Sequence, residues 1–205
     1  IPESKITCIR TCVDLDEFQG NRNFSDDIIN IGYLGSVDTA YDFNLFLDLI
    51  RCFEKSFKNR YKVTILTKQV DLAMKHISDL DFNFGHEIKF VSGKNLIKSI
   101  SEFSFLAFFL IKNKSLRASM PTKIAEALAM GVPIICNSFN NDICKLLEED
   151  SFGIILNNSN EIKSLTTANI HEMLSDAQEI RCKQAAKKHF NLEDAVIKYK
   201  KIYDS

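Results

Sequence analysis

The sequence contains few of the residues that interrupt regular structure. Among its 205 residues are three prolines, seven glycines and no tryptophan. This composition excludes a collagen-like or proline-rich chain. A hydrophobic fraction of 45% is enough to build a full core. We therefore predict one folded domain over residues 1–205.

Neither sign of charge dominates, and no apolar run is long. The 26 basic and 27 acidic residues give a formal net charge of -1 without an acidic or basic block. We therefore expect no nucleic-acid partner. The longest apolar run, FLAFFLI at 105–111, is far shorter than a transmembrane helix. The chain shows no signal peptide and begins mid-pattern without methionine, so we expect a fragment of a longer protein.

The cysteines and histidines lack the spacings of disulfide frameworks and metal sites. The six cysteines (8, 12, 52, 136, 144 and 182) include no CxxC pair. Free thiols in a reducing cytoplasm are therefore predicted. The four histidines (76, 86, 171 and 189) are far apart, and we expect no metal site.

Apolar runs typical of strands alternate with segments of helical period. Strands are predicted at 29–35, 61–67, 87–92, 104–111, 132–137 and 153–156. Helices are predicted at 42–57, 70–80, 95–103, 121–130, 142–150, 159–189 with a break, and 193–203. This order indicates an α/β fold with a doubly wound, mainly parallel, Rossmann-like sheet of about six strands and helices on both faces. A lead-in segment 1–28 would precede the core at 29–156, and C-terminal helices would occupy 157–205.

Ligands of such sheets lie beyond the carboxyl ends of the strands. The relevant loops are 35–41, 67–69, 92–95, 111–120 and 137–142. Four of the five carry glycine, asparagine, hydroxyl or basic residues, which suit an anionic ligand.

The stretch SMPTKIAEALAMGVPIICN (119–137) combines a helix with unexpected charges. Pro121 suits the first helical turn, where the N–H groups near Thr122, Lys123 and Ile124 would lack helical partners and favour phosphate. Lys123 adds a full charge, and Glu126 one turn later could accept hydrogen bonds from ribose hydroxyls. Alternatively, Lys123 and Glu126 only form a solvated helix face. Spacing alone does not separate these two interpretations.

This stretch resembles the donor-binding helix of the family-four (group 1) retaining glycosyltransferases, GT-B enzymes with two facing Rossmann-like domains. Other segments resemble the same family in the same order: VDLDEF (13–18), IGYLGSVDTAYDF (31–43), FNNDICKLLEEDSFGIIL (139–156) and AAKKHFNLEDAVIKYKKIY (185–203). The resemblance covers almost the whole chain. It implies the C-terminal, nucleotide-sugar-binding domain of such an enzyme, with the N-terminal acceptor domain absent from this chain.

The resemblance also implies roles for individual residues. Glu126 matches the second glutamate of the family's E-x7-E motif, which holds the donor ribose. Gly35 matches the glycine that admits the donor diphosphate. Ser92, Gly93 and Lys94 match the loop that lines the nucleobase, and Asn137 lies where a polar loop faces the donor sugar.

The sequence departs from the family at several positions. The first glutamate of the motif falls at Ala118, and the basic residues that clamp the diphosphate fall near Ser36 and Asp42. The phosphate charge would then rest on Lys123, the helix pole and either Lys68 or Arg117. We therefore predict Lys123 and Glu126 as the catalytic residues.

Four other residues have simpler expected roles. Ser36, Pro121 and Thr122 are predicted to contact the donor. Asp142 is expected to cap the helix that follows it rather than to act as a base.

The implied activity is transfer of a sugar from a nucleoside-diphosphate donor to a glycan, lipid or small acceptor in bacterial cell-surface polysaccharide synthesis. It would need no metal or other cofactor and would take place in the cytoplasm, where the missing domain could associate peripherally with the membrane. The isolated chain would bind donor but be inactive. The alternatives are a nucleotide-sugar epimerase of the same architecture and a non-catalytic module that binds nucleotides or phosphosugars.

Overall fold

The computed structural model describes residues 6–23, 27–117 and 119–204. Within these ranges six strands form one sheet: β1 (Ile29–Leu34), β2 (Tyr61–Leu66), β3 (His86–Lys89), β4 (Phe105–Ala107), β5 (Ile134–Cys136) and β6 (Gly153–Ile155). All neighbouring strands are parallel, in the order β3-β2-β1-β4-β5-β6. The predicted doubly wound α/β fold is therefore confirmed.

Helices follow the strands as the sequence predicts. They are α1 (Phe43–Ser56), α2 (Val70–Ser78), α3 (Lys94–Ser101), α4 (Thr122–Ala129), α5 (Asn141–Asp150), α6 (Ser159–Lys163), α7 (Thr167–Leu174), α8 (Asp176–Phe190) and α9 (Leu192–Tyr203). In the described part of the chain, no helix combines the length and the apolar character needed to cross a membrane.

The helices bury both faces of the sheet. One core cluster contains Phe46 and Phe53 of α1, and the other contains Leu128 of α4 and Phe190 of α8. The chain winds from β1 outward to β3, then returns to β4 beside β1 and winds the other way. The strand order therefore reverses between β1 and β4, where such sheets place their ligands.

Two predicted elements differ from the structure. The ladder of β4 covers three residues rather than eight. The N–H of Phe108 still donates to the carbonyl of Ile135 in β5 (2.9 Å), but from Phe109 the backbone pairs with the loop before α1. The N–H of Asp42 donates to the carbonyl of Phe109 (2.7 Å), and that of Ile111 donates to the carbonyl of Ala40 (3.1 Å). The region 159–189 forms three helices, since the side chains of Thr166 and Ser175 cap α7 and α8.

The lead-in segment packs against the domain. Val13 pairs with Asn191 at the junction of α8 and α9, and its N–H donates to the carbonyl of Phe190 (2.8 Å). The hydroxyl of Thr11 donates to the carbonyl of Met120 (2.8 Å), just before α4. This segment therefore contacts the residue that leads into the helix carrying Lys123 and Glu126.

Candidate functional site

The N-terminus of α4 lies at the carboxyl edge of the sheet, beside the reversal in strand order. Pro121 is the N-cap rather than part of the first turn, and its φ of -65° already suits the helix. The sequence predicts three N–H groups without helical partners at this end. That of Ile124 instead donates to the carbonyl of Pro121 (3.2 Å). Those of Thr122 and Lys123 donate to no other described residue.

Lys123 reaches back from α4 to the end of β1. Its Nζ donates a hydrogen bond to the carbonyl of Leu34 and lies 3.7 Å from the centroid of the Tyr41 ring. The side chain belongs to a residue that is 7% exposed. Burial lowers the pKa of Lys123 to about 7, against the opposing effect of Glu126. The ammonium is therefore poorly solvated where an anion would approach.

Lys123 and Tyr41 approach the backbone at position 35 so closely that only glycine fits there. Its φ is +150°, and a Cβ there would lie 2.3 Å from Lys123 Nζ and 2.9 Å from Tyr41 Cε2. The next residues are also fixed, since the hydroxyl of Tyr33 donates to the carbonyl of Ser36 (2.5 Å). A side chain at position 35 would displace the lysine or the tyrosine.

Glu126 faces a more open environment one turn further along α4. Burial raises the pKa of its carboxyl group, Lys123 lowers it, and Glu17 of the lead-in segment raises it. The carboxylate makes no hydrogen bond or ion pair with the residues that the structure describes. Its oxygens therefore remain able to accept hydrogen bonds from a ligand.

A cavity of about 510 Å³ opens beside Gly35, and we name it the β1–β3 cavity. It contains three predicted residues, Gly35, Ser36 and Lys68. Its other lining residues are Leu34, Thr39, Leu66, Thr67, Gln69, Phe90 and Val91. Lys68 Nζ lies 5.5 Å from the centroid of the Phe90 ring.

The predicted nucleobase loop lies at the rim of this region. Ser92, Gly93 and Lys94 are exposed, follow β3 at the same edge and are not among the residues that line the β1–β3 cavity. Gly93 is the N-cap of α3 with a φ of 56°. Phe90 and Val91, the two residues before Ser92, line the cavity instead.

A second cavity, of about 420 Å³, lies beyond β4 and β5 and is named the β4–β5 cavity. Arg117 and Asn137, predicted as donor-binding residues, line this cavity rather than the one beside Gly35. The other lining residues are Lys112, Lys114, Ser138, Phe139, Asn141 and Asn157. Ala118 lies outside the described residues.

Six of the predicted site residues therefore fall into three groups. Gly35, Ser36 and Lys68 share one cavity, Arg117 and Asn137 share the other, and Lys123 lies buried beneath Gly35. The N-terminus of α4 belongs to the loop connection that follows β4, beside β1.

Asn137 uses its side chain to position the backbone. Its Oδ1 accepts from the N–H of Leu110 (3.1 Å), and its Nδ2 donates to the carbonyl of Leu110 (2.8 Å). The residue is 8% exposed. Its amide thereby joins the loop after β4 to the loop after β5.

The start of α5 corrects the expectation for Asp142. The N-cap is Asn140, whose Oδ1 accepts from the N–H groups of Asp142 (3.0 Å) and Ile143 (3.1 Å). Asn140 is buried, and its amide also donates to the carbonyl of Ser119, whereas Asp142 is exposed in the first turn.

We expect Asn137→Ala to lower the free energy of unfolding by about 1 kcal/mol, because both backbone groups of Leu110 lose their partner and only cavity water replaces it. Urea denaturation measures this difference. Asn83→Ala, at an exposed position before β3, is the matched control and should change stability little. Equal stabilities for the two variants would contradict the bridging role.

Sequence reasoning missed Tyr41, Gln69, Lys112 and Lys114. Each lies in or beside a loop that was predicted to face the ligand, but a loop sequence does not show which side chains turn inward. Gln69, for example, accepts from the N–H of Val37 (2.7 Å) through its Oε1 and so ties two loops together.

One group of possible metal ligands occurs among the described residues, formed by Glu149, Asp150 and His189. Asp150 already pairs with Lys188 (2.8 Å) and with the His189 ring. The group lies at the end of α5, and α5 begins at the carboxyl edge of the sheet. It is therefore separate from the residues around Gly35.

Comparison with known proteins gives matches in structure. No protein-family model matches the sequence, and no curated protein matches it significantly. A mutant of S. aureus TarM in complex with fondaparinux, alpha-GlcNAc-glycerol and UDP matches with a TM-score of 0.67 and 13% identity, over 92% of this chain and 38% of TarM. Anabaena Alr3699/HepE in complex with UDP-glucose gives 0.68 and 11%, over 94% of this chain and 56% of HepE.

A third match has nearly the same extent as this chain. It is the C-terminal domain of the glycosyl transferase group 1 family protein LpcC from Francisella tularensis, with a TM-score of 0.65 and 12% identity. The alignment covers 88% of this chain and 99% of that domain. The chain thus spans only part of TarM and HepE but nearly all of an isolated domain. It has the Rossmann-like fold of the C-terminal domain of GT-B group 1 glycosyltransferases.

Proposed function

We propose that this chain is the donor-binding domain of a glycosyltransferase and that it binds the nucleoside diphosphate of a nucleotide sugar at the start of α4. One observation carries the proposal. The Lys123 ammonium, the two N–H groups of α4 that donate to no described residue and the glycine at position 35 meet where the strand order reverses. Solved structures of this fold contain UDP or UDP-glucose, which supports the same class of ligand here.

The proposed binding mode follows from charge and space. The diphosphate approaches Gly35, where no side chain blocks it, and accepts hydrogen bonds from the N–H groups of Thr122 and Lys123. The Lys123 ammonium, already at the end of β1, supplies a full positive charge. Glu126 accepts hydrogen bonds from the ribose hydroxyls, and Lys68 and Phe90 lie on the nucleoside side.

The same groups would assist the chemical step. Cleavage of the bond between sugar and phosphate leaves negative charge on the β-phosphate. Hydrogen-bond donors of the protein that are fixed near this charge lower the barrier, and loss of one such group commonly costs about 3 kcal/mol in the transition state. In this proposal, Lys123 and α4 supply the positive charge without a metal ion.

The rest of the proposal concerns the longer protein. We place an acceptor-binding domain N-terminal to this chain and infer retaining transfer to a glycan, lipid or small acceptor in bacterial cell-surface polysaccharide synthesis. The reaction would take place in the cytoplasm, with any membrane association made by the other domain. This chain alone would bind donor but transfer nothing, because the acceptor site is elsewhere.

One observation favours transfer over epimerisation. An epimerase needs acid and base side chains beside the sugar. The described residues that line the β4–β5 cavity include no carboxylate and no histidine. This cavity lies beyond the proposed diphosphate site, on the side where the sugar would extend.

The direct test is the thermal unfolding midpoint of the chain with UDP, GDP, ADP or CMP at millimolar concentration. We expect one nucleoside diphosphate to raise the midpoint, since a ligand at 100 times its dissociation constant stabilises by about 2.7 kcal/mol. Glu126→Ala should remove the effect. Glu148→Ala, an exposed glutamate on α5, should keep it.

Two outcomes would contradict the proposal. One is the absence of a midpoint shift with every nucleoside diphosphate. The other is a shift that survives unchanged in Glu126→Ala and in Lys123→Met, because binding would then occur away from α4.

A further inference from the structure

Three cationic side chains line the β4–β5 cavity, and all three lie in the loop between β4 and α4. They are Lys112, Lys114 and Arg117. None of the described lining residues is acidic. The remaining polar wall consists of Ser138 and three asparagines, which donate and accept hydrogen bonds without adding charge.

The loop holds two of these cations on one side. Residues Lys114–Leu116 form a 3₁₀ turn, and the N–H of Arg117 donates to the carbonyl of Lys114 (3.3 Å). Side chains three residues apart in such a turn are eclipsed, so Lys114 and Arg117 project together. The Asn113 side chain fixes the turn by accepting from the N–H of Ser115 (3.1 Å).

The three cations lack partners within the described part of the chain. Their side chains make no hydrogen bond or ion pair there. The basic surface between α1 and α6 differs, because Arg51 pairs with Asp48 at 2.7 Å. Glu161, next to the lining residue Asn157, is likewise engaged, since it accepts from the N–H of Asn157 (2.7 Å). The cavity therefore carries positive charge that no described carboxylate compensates.

The strand order gives this cavity its place along a bound donor. The β1–β3 cavity lies over one side of the reversal, Lys123 lies at the end of β1, and the β4–β5 cavity lies over the next strands. Neighbouring strands are about 4.8 Å apart. A donor with its nucleoside over β2 and β3 and its diphosphate at β1 would therefore extend its sugar towards the β4–β5 cavity.

We propose that the β4–β5 cavity selects a donor whose sugar carries an anionic group, a carboxylate or a phosphate ester. The inference rests on the proposed function, since it takes the nucleoside diphosphate to bind at α4. Arg117 offers a planar guanidinium that can bind either group through two hydrogen bonds, and the two lysines add point charges.

The first experiment uses free sugars and needs no nucleotide. Glucuronate, glucose 6-phosphate and glucose are titrated into the ¹⁵N-labelled chain, and the amide signals of Ser138 and Asn157 are followed by NMR. We expect both anionic sugars to bind at least about tenfold more tightly than glucose, as two or three partly exposed ion pairs allow. The comparison of glucuronate with glucose 6-phosphate identifies which anion the cavity prefers.

The triple variant Lys112→Gln, Lys114→Gln, Arg117→Gln should lose this preference. All three residues are exposed, so the fold should be retained. The control Lys198→Gln, Lys200→Gln, Lys201→Gln removes the same charge from α9 and should keep the preference. Equal binding of glucose and the anionic sugars, or unchanged anion binding in the first triple variant, would overturn the inference.

A second comparison separates this inference from the proposed function. With the nucleotide that raises the midpoint, the glucuronic acid conjugate should bind about tenfold more tightly than the glucose conjugate, and only while the three cations are present. Equal affinity of the two conjugates would overturn the inference and leave nucleotide binding intact. Anionic sugars that bind while no nucleotide does would overturn the donor-binding proposal and support the anion site.

Discussion

The free energy of unfolding of the wild-type chain should rise by about 2 kcal/mol between pH 7 and pH 9, relative to that of Lys123→Met. In the folded chain burial lowers the pKa of Lys123 to about 7, from an ordinary value of 10.5. In this pH range the unfolded chain therefore binds more protons than the folded chain, so stability increases with pH. Well below pH 7 the lysine is protonated in both states, and its contribution no longer changes.

The measurement is urea denaturation of both proteins at pH 6, 7, 8 and 9. Subtracting the profiles removes the contribution of the buried thiols of Cys136 and Cys182, whose pKa values are raised by burial and which oppose the trend near pH 9. Lys145→Met, at an exposed position on α5, is the control and should follow the wild-type profile. Parallel profiles for wild type and Lys123→Met would show that the ammonium is not desolvated.

Lys123 has separate effects on the stability of the chain and on ligand binding. At pH 6 the folded chain holds a charged ammonium against burial, and methionine at this position relieves that cost while losing the bond to Leu34. A charge kept in an unfavourable environment is common where a ligand supplies the compensating charge. Lys123→Met should therefore fold well and still fail to respond to nucleoside diphosphates.

The fold was predictable because burial on both faces leaves a strong pattern in the sequence. All six strands occur where apolar runs predict them, and helices separate them. The length of β4 was not predictable. The run at 105–111 is apolar throughout, but from Phe109 its backbone pairs with the loop before α1, and apolarity does not distinguish these partners.

The candidate site was predictable as a set of loops more than as a set of contacts. Spacing placed Lys123 in the first turn of α4, yet it did not show that the side chain reaches Leu34 beneath Gly35. The sequence favoured Lys68, at a strand end, over Arg117 as a phosphate ligand, but it did not show that the two residues lie apart. The strand order separates them into different cavities, and that order depends on contacts between distant parts of the chain.

The contacts of the lead-in segment could not be predicted from the sequence either. Arg22 makes the contacts by which its role can be tested. This residue is 7% exposed although it lies before the first strand. Its guanidinium donates hydrogen bonds of 3.0 to 3.1 Å to the carbonyls of Ser104, Met173, Leu174 and Ser175. One side chain thus joins the start of β4 to the end of α7 and the start of α8.

Replacing Arg22 with methionine should lower the free energy of unfolding by about 3 kcal/mol, because several carbonyls lose a charged donor and Glu179, 3.6 Å from the guanidinium, loses a buried partner. Urea denaturation at pH 7 measures the loss. Arg22→Lys should recover little of it, since an ammonium cannot reproduce the planar set of donors.

Arg60→Met, at an exposed position before β2, is the matched control and should stay within about 0.5 kcal/mol of wild type. A stable Arg22→Met would mean that the segment before residue 29 is a linker that merely lies on the domain. A large loss would make it part of the domain. In that case the Thr11 contact with Met120 couples the lead-in segment to the N-terminus of α4, where the donor is proposed to bind.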